Sequence, residues 1–288
     1  DVHVLVLPTE MADFQSLLER RSIPRSEIII HDDVPFDSVW MRDYGPTPII
    51  TARGMEFVDG RYFDNCLLDD AVPTELSRHF GNPRVYRPNI RTEGGNLLSN
   101  GEGLCITSTY LVTQNESTEP RMAQVLRRFY GCQDTIFLEP LEGNVVRHVD
   151  IFLTFTSSHD VLLGEFTPEQ DFYNAMILEE NAAKLARWRS RTDGRGLRIE
   201  RVPMPNRTEA AIDDLDGPLV RTYLNMLQFN ESVFVPVYDE ERTFEEEALA
   251  RIQRAFPSKN VIAVRADEMA IDAGTLHCIS QTLPAVGR

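Results

Sequence analysis

The chain has no run of about 20 apolar residues, the length that a membrane-spanning helix needs. It has no excess of positive charge. Lys and Arg number 29 against 45 Asp and Glu, a formal net charge of −16, which argues against a general nucleic-acid binder. Cysteine is scarce and scattered. Cys66, Cys105, Cys132 and Cys278 form no C-x-x-C pair, so zinc-finger and thioredoxin readings fail. Four cysteines in 288 residues do not make a disulfide scaffold, and the expectation is free thiols in a reducing compartment, the cytoplasm. No G-x-G-x-x-G follows an apolar strand and no P-loop is present, so dinucleotide and nucleoside-triphosphate folds lose their main signals. No signal peptide is visible, although the chain opens on Asp1, enters an apolar strand pattern over residues 2–7 at once, and reads as trimmed or processed.

What is present is ordinary globular composition, 42% hydrophobic and 26% charged. A length prior of roughly 150 residues per domain allows one or two domains. A recurring unit organises the chain instead: a helix-like stretch, an apolar strand, a loop and a second strand. It runs through residues 14–20, 27–31 and 40–51, then 74–80, 84–87, 92–100 and 104–107. It returns at 119–130, 135–138, 144–150 and 151–155, at 169–187, 197–202, 221–224 and 225–230, and at 243–256, 261–264, 271–274 and 275–282. Met122, Val125, Leu126 and Phe129 share one helical face. Thr243 and Glu246 have capping-box spacing. Five such units predict a closed ring of ββαβ-type modules, one α/β propeller domain over residues 1–288, since closure removes exposed sheet edges.

Each unit places unusual polar residues at one stage, the loop or the start of the following strand. They are Trp40-Met-Arg-Asp-Tyr-Gly-Pro46, Thr92-Glu-Gly-Gly-Asn96, Arg147-His-Val-Asp150, Tyr223-Leu-Asn225 and Gly274-Thr-Leu-His-Cys278. In a ring these positions converge on the axis. His148 and Asp150 stand two apart at a predicted strand start and so point to one face, an acid/base histidine with an orienting carboxylate. A solvated strand face is the plain alternative. A metal reading takes His148, Asp150, Glu93 and Asp43 as ligands, without an H-E-x-x-H pattern to support it. His277 and Cys278 are neighbours on a predicted strand, so they face opposite ways and His277 is not expected to partner the thiol. Cys66, Cys105 and Cys132 read as buried apolar thiols. Asp43 is held beside the Gly45-Pro46 turn. Glu93 precedes Gly94-Gly95, where backbone can approach a ligand closely. Converging carboxylates suit a guanidinium, and Trp40 offers it a cation–π wall.

Taken in order, Trp40–Pro46, Glu93-Gly-Gly-Asn96, His148-Val-Asp150 and Leu276-His-Cys-Ile279 resemble the agmatine deiminase and Porphyromonas-type peptidyl-arginine deiminase family. The resemblance spans residues 40–281. It implies a five-bladed α/β propeller that hydrolyses a guanidino group to a ureido product and ammonia, without metal or cofactor. By that resemblance Cys278 is the nucleophile, His148 the acid/base, and Asp43 and Asp150 the guanidinium clamps, with Glu93 and Asn225 at matching positions. Trp40 and Gly274 are expected to line the site from their places in the repeat, with a core role for Trp40 as the alternative. Tyr44 resembles the peptidyl-arginine branch, and His277-Cys-Ile-Ser-Gln281 the agmatine branch. Arg147 stands where Gly commonly precedes the His-x-Asp motif, and its cation can narrow the site or bind a substrate carboxylate. The expected partner is a cationic guanidino small molecule or an arginine-containing peptide. An amidinotransferase on the same fold, a metal-dependent hydrolase and a silent binding ring are the alternatives. Monomer and homodimer are both compatible with the sequence.

Overall fold

The computed structural model describes residues 1–206, 221–239 and 241–285. Its strands form five small sheets. In the first, β1 (Val2–Leu5) leads through α1 (Met11–Arg20) to β2 (Ile28–His31), which pairs with β1 in parallel. A short helix α2 (Met41–Tyr44) then precedes the second sheet: β3 (Thr47–Thr51), β4 (Gly54–Val58), α3 (Leu67–Ser77) and β5 (Val85–Tyr86). The third sheet is β6 (Leu98–Ser99), β7 (Leu104–Ser108), α4 (Tyr110–Gln114), α5 (Glu119–Phe129) and β8 (Asp134–Leu138). The fourth is β9 (Leu153–Phe155), β10 (Asp160–Glu165), α6 (Phe172–Arg187) and β11 (Arg198–Pro203). The fifth is β12 (Leu227–Phe229), β13 (Ser232–Val237), α7 (Glu245–Ala255) and β14 (Asn260–Arg265), followed by the short α8 (Asp267–Ala270).

Sheets two to five share one plan. The first two strands pair antiparallel across a short turn, and a helix carries the chain back to a third strand parallel to the second. A parallel pair needs such a crossover. The middle strands read as near-continuous apolar runs because helices and neighbouring sheets cover both faces: all of β7 is buried, as are the four central residues of β10. The ring of ββαβ-type units expected from the sequence is therefore present, with its phase shifted. The helix and strand of each sequence unit complete one sheet, and the strand after the polar motif opens the next.

Several local expectations change. In α5, Met122 and Leu126 are buried as predicted. In α7 the capping box does not form: Phe244 caps the helix, and the Thr243 amide donates to Glu241 Oε1 at 2.9 Å. The predicted strand over 275–282 is a turn, with the Ile279 amide bonded to Thr275 O and the Ser280 amide to His277 O. Cys105 and Cys132 are disulfide-bonded, their Cα atoms 5.5 Å apart, and Cys66 and Cys278 are free. The parallel pairing of β7 with β8, together with the end of α5, brings the two sulfurs together across 27 residues of sequence. The inference from unpaired cysteine to a reducing compartment falls with that bond. Among the described residues no helix is long and apolar enough to cross a membrane.

Candidate active site

Four of the five polar motifs lie just before the first strand of a sheet, and the fifth follows the last helix. Asp43 sits on α2 before β3, and Glu93 leads the tight turn Gly94–Asn96 before β6. His148 caps the 3-10 turn Val149–Ile151 before β9, and Asn225 precedes β12. Cys278 lies in the turn after α8. The backbone amide of Arg42 donates to Cys278 O at 2.9 Å, which joins that turn to α2. The convergence expected from the repeat is therefore what the fold produces. His148 and Asp150 reach it through a 3-10 turn rather than through strand alternation.

Gly95 shows how tight the meeting is. Its amide donates to Asp43 Oδ1 at 3.0 Å. A Cβ there would lie 2.8 Å from Asp43 Oδ1, 2.8 Å from His148 Nδ1 and 2.9 Å from Asp150 Oδ2. Only glycine lets those three groups close over the backbone. His148 lies between two carboxylates, Nδ1 3.6 Å from Asp43 Oδ1 and Nε2 3.5 Å from Glu93 Oε2. Gln114 Nε2 donates to the same Glu93 oxygen at 3.2 Å. Cys278 Sγ is 3.8 Å from Asp150 Oδ2 and accepts from Asn225 Nδ2 at 3.2 Å. That amide also donates to Asp150 Oδ2 at 2.9 Å, while Thr275 Oγ1 donates to Asn225 Oδ1 at 2.7 Å and fixes its orientation.

Glu93, His148, Asp150 and Cys278 are all at most 3% exposed, so charge in the cluster is strongly felt. Burial pulls the His148 imidazole down, but Asp43, Glu93 and Asp150 outweigh it and hold His148 at about 9. Burial raises the Asp43 carboxyl to about 7, against the pull of His148. Burial, with Asp150 and Asp43 beside it, pushes the Cys278 thiol well above its ordinary range. Asp150 Oδ1 is buried without a hydrogen-bond partner among the described residues, an acceptor left open to a donor from outside the chain.

Two groups at the centre escaped sequence reasoning. His277 was placed facing away from the site, and the structure corrects this. Because residues 275–280 turn rather than extend, His277 and Cys278 both reach Asp150, and His277 Nδ1 bonds Asp150 Oδ2 at 2.7 Å. Burial and the nearby Arg42 lower the His277 imidazole, which fits a neutral ring donating to the carboxylate. Arg42 is the second. Burial pulls its guanidinium down to about 10 while Asp150, Cys278 and Asp43 hold it up. Its side chain donates to His277 O at 3.3 Å and to Gln281 Oε1. The signal for it in the motif is a cation directly beside Asp43.

The remaining site residues lie further out. Gly274 packs on Trp40: a Cβ there would lie 2.2 Å from the indole Cζ3. Trp40 also packs against the apolar cluster around Val34, Tyr44 and Tyr62. Arg147 is exposed, with φ at +57°, a conformation that glycine adopts freely. Its guanidinium stacks 5.4 Å from the Tyr110 ring centroid. As for the metal reading, Asp43, Glu93, His148 and Asp150 do not bring three ligand atoms within 4.8 Å of one another.

The model of the Porphyromonas-type peptidyl-arginine deiminase family matches residues 1–284. The chain belongs to that family. It is 28% identical over 286 residues to the agmatine deiminase of Pseudomonas aeruginosa strain UCBPP-PA14, a match covering 88% of this chain and 76% of that one. Among solved structures it resembles the agmatine deiminase of Enterococcus faecalis, with a TM-score of 0.82, 22% identity and coverage of 97% and 82% of the two chains. A dimethylarginine dimethylaminohydrolase shares the fold more distantly, with a TM-score of 0.51, 15% identity and coverage of 96% and 98%. The family member described here thus has the five-bladed fold of the guanidino-modifying enzymes.

Proposed function

We propose that this chain is a hydrolase of linear amidines, a deiminase that converts a guanidino small molecule of the agmatine type to its ureido product and ammonia. The observation that carries the reading is the meeting of Asp43, His148 and Asp150 over Gly95, with Cys278 Sγ 3.8 Å from Asp150. Asp43 and Asp150 would hold the two edges of a planar guanidinium by charge-assisted hydrogen bonds. Its central carbon would then face the sulfur, and this positioning is a major part of the rate enhancement.

Cys278 starts as a thiol, because burial disfavours the thiolate. A bound guanidinium brings positive charge beside Sγ and drives loss of the thiol proton to solvent as the substrate enters, leaving the thiolate, which is the nucleophile. Attack on the guanidinium carbon forms the carbon–sulfur bond and a tetrahedral adduct. Protonated His148 donates to one amino group, the carbon–nitrogen bond breaks, and ammonia leaves a covalent thiouronium. His148, now neutral, takes a proton from the incoming water as it attacks the same carbon. Collapse releases the ureido product and restores the sulfur. Glu93 keeps His148 protonated at the start of each cycle, and Asn225 steadies Asp150 and the sulfur together. We read residues 1–288 as a single catalytic domain built around this one centre.

Ammonia release measured with agmatine, free arginine and an arginine-containing peptide tests the reading. Turnover of agmatine, lost in Cys278→Ala, is the expected result. Release of ammonia undiminished in Cys278→Ala, or transfer of the amidino group to an added amine in place of hydrolysis, would overturn it.

A further inference from the structure

Three of the chain's six histidines lie outside the cluster around Cys278 and meet one another at the first sheet. The register of β1 and β2 pairs His3 with Ile29 and Leu5 with His31. His3 and His31 therefore share a face as diagonal neighbours. His3 Nδ1 and His31 Nε2 are 2.8 Å apart, within hydrogen-bond reach. His79 arrives from the 3-10 turn Arg78–Phe80 that follows α3 in the second sheet's unit, and its ring meets that of His31 edge-on at 4.3 Å. Asp33, two residues past the end of β2, places Oδ1 3.0 Å from His79 Nε2. One ligand atom each from His31, Asp33 and His79 lie within 4.8 Å of one another.

We propose that His31, His79 and Asp33 form a binding site for a divalent transition-metal ion of the zinc class. The donor set is two imidazoles and one carboxylate. That set suits zinc, cobalt or nickel and not calcium or magnesium, which take oxygen ligands. Zinc bonds of about 2.0–2.1 Å in a tetrahedron put donor atoms roughly 3.3 Å apart. The Asp33–His79 pair is already at that spacing, and closing in His31 needs only small side-chain adjustment. With His31 Nε2 engaged by His3, Nδ1 is the nitrogen left for the ion. His3 then acts as the outer partner that fixes the orientation of a ligating histidine. The site is anchored and reachable: His31 is 3% exposed, while the His79 and Asp33 side chains are 28% and 61% exposed. A bound ion would tie the first sheet to the end of α3 and would take no part in the chemistry at Cys278.

Titration of the untagged full chain with Zn2+ and Co2+ tests this, in a Cys278→Ala background so that the thiol does not compete. The expected result is one equivalent bound, with a Co2+ visible spectrum typical of low coordination and X-ray absorption showing nitrogen and oxygen ligands without sulfur. Asp33→Asn and His79→Gln should each weaken binding at least about tenfold, and His3→Phe by about 10- to 100-fold. In the chain with Cys278 intact, Asp33→Asn and His79→Gln should leave deiminase turnover in place, which verifies folding. Zn2+ should raise the thermal midpoint of the Cys278→Ala chain but not of the same chain carrying Asp33→Asn. Failure of the Cys278→Ala chain with His31, Asp33 and His79 intact to bind Zn2+ or Co2+, or binding unchanged in both ligand variants, would overturn the proposal. Since Asp33 is exposed, its variant keeps the test decisive if His79→Gln folds poorly.

Discussion

His277 Nδ1 lies 2.7 Å from Asp150 Oδ2, a hydrogen bond across 127 positions of sequence. It places the residue next to the proposed nucleophile in contact with a carboxylate proposed to hold the substrate. Replacing the ring leaves Asp150 with Asn225 and the longer Cys278 contact to orient it. His277→Gln is expected to lower kcat/KM by about 100-fold, the loss that follows from a misplaced positioning group, with little change in thermal midpoint. Steady-state kinetics check it. Unchanged kcat/KM would show that Asn225 suffices.

The pH profile should be bell-shaped. Asp43 must be ionised to hold a cation, so activity rises as pH passes its value of about 7. His148 must be protonated to expel ammonia, so activity falls as pH passes about 9. Asp43→Asn should remove the lower limb as well as most of the activity. Stability follows the same groups with worked signs. His148 is raised in the fold, so its contribution is complete below its unfolded value near 6.5 and is lost as pH climbs through about 9. Asp43 is also raised, so its carboxyl increasingly opposes folding between its unfolded value of 3.8 and about 7. A kcat/KM profile flat from about pH 6 to about pH 10, roughly one unit beyond each limb, would contradict both assignments.

Gly95→Ala and Gly274→Ala should fail in different ways. At Gly95 the added methyl meets the three groups that close over the substrate, so kcat/KM is expected to drop about 100-fold or more while the fold survives. At Gly274 the methyl meets the Trp40 ring itself. That is overpacking, with a typical cost of about 1–3 kcal/mol, and it should appear first as a lowered thermal midpoint. Kinetics and thermal unfolding on the same two variants distinguish them.

Thiol counting under denaturing, non-reducing conditions should find two free thiols per chain, Cys66 and Cys278. Cys105→Ser removes a cross-link closing 27 residues, a loop for which chain entropy predicts a loss of roughly 3–4 kcal/mol. A count of four thiols would show the pair to be reduced.

The ring was legible because its repeat is written twice, in apolar periodicity and in polar residues recurring at one stage. Asp43, Glu93, His148, Asp150, Asn225 and Cys278 all arrive where that repeat sends them. Local geometry was less legible. His277 was misplaced because Thr275–Ser280 carries enough apolar character to read as a strand, whereas its backbone bonds close a turn. The disulfide was missed because Cys105 and Cys132 become neighbours only through the β7–β8 pairing, which sequence spacing does not display. Arg42 was passed over because burial, not residue type, is what makes its charge count.

The bonds from Arg42 to Cys278, His277 and Gln281 span as many as 239 positions. Contacts so distant carry the largest loop-closure entropy and are made only after much of the chain between them is ordered. The sulfur is therefore expected to be fitted late in folding. A nascent or partly unfolded chain carries Cys278 as an ordinary thiol, and the reactive centre comes into being in the same event that closes the ring.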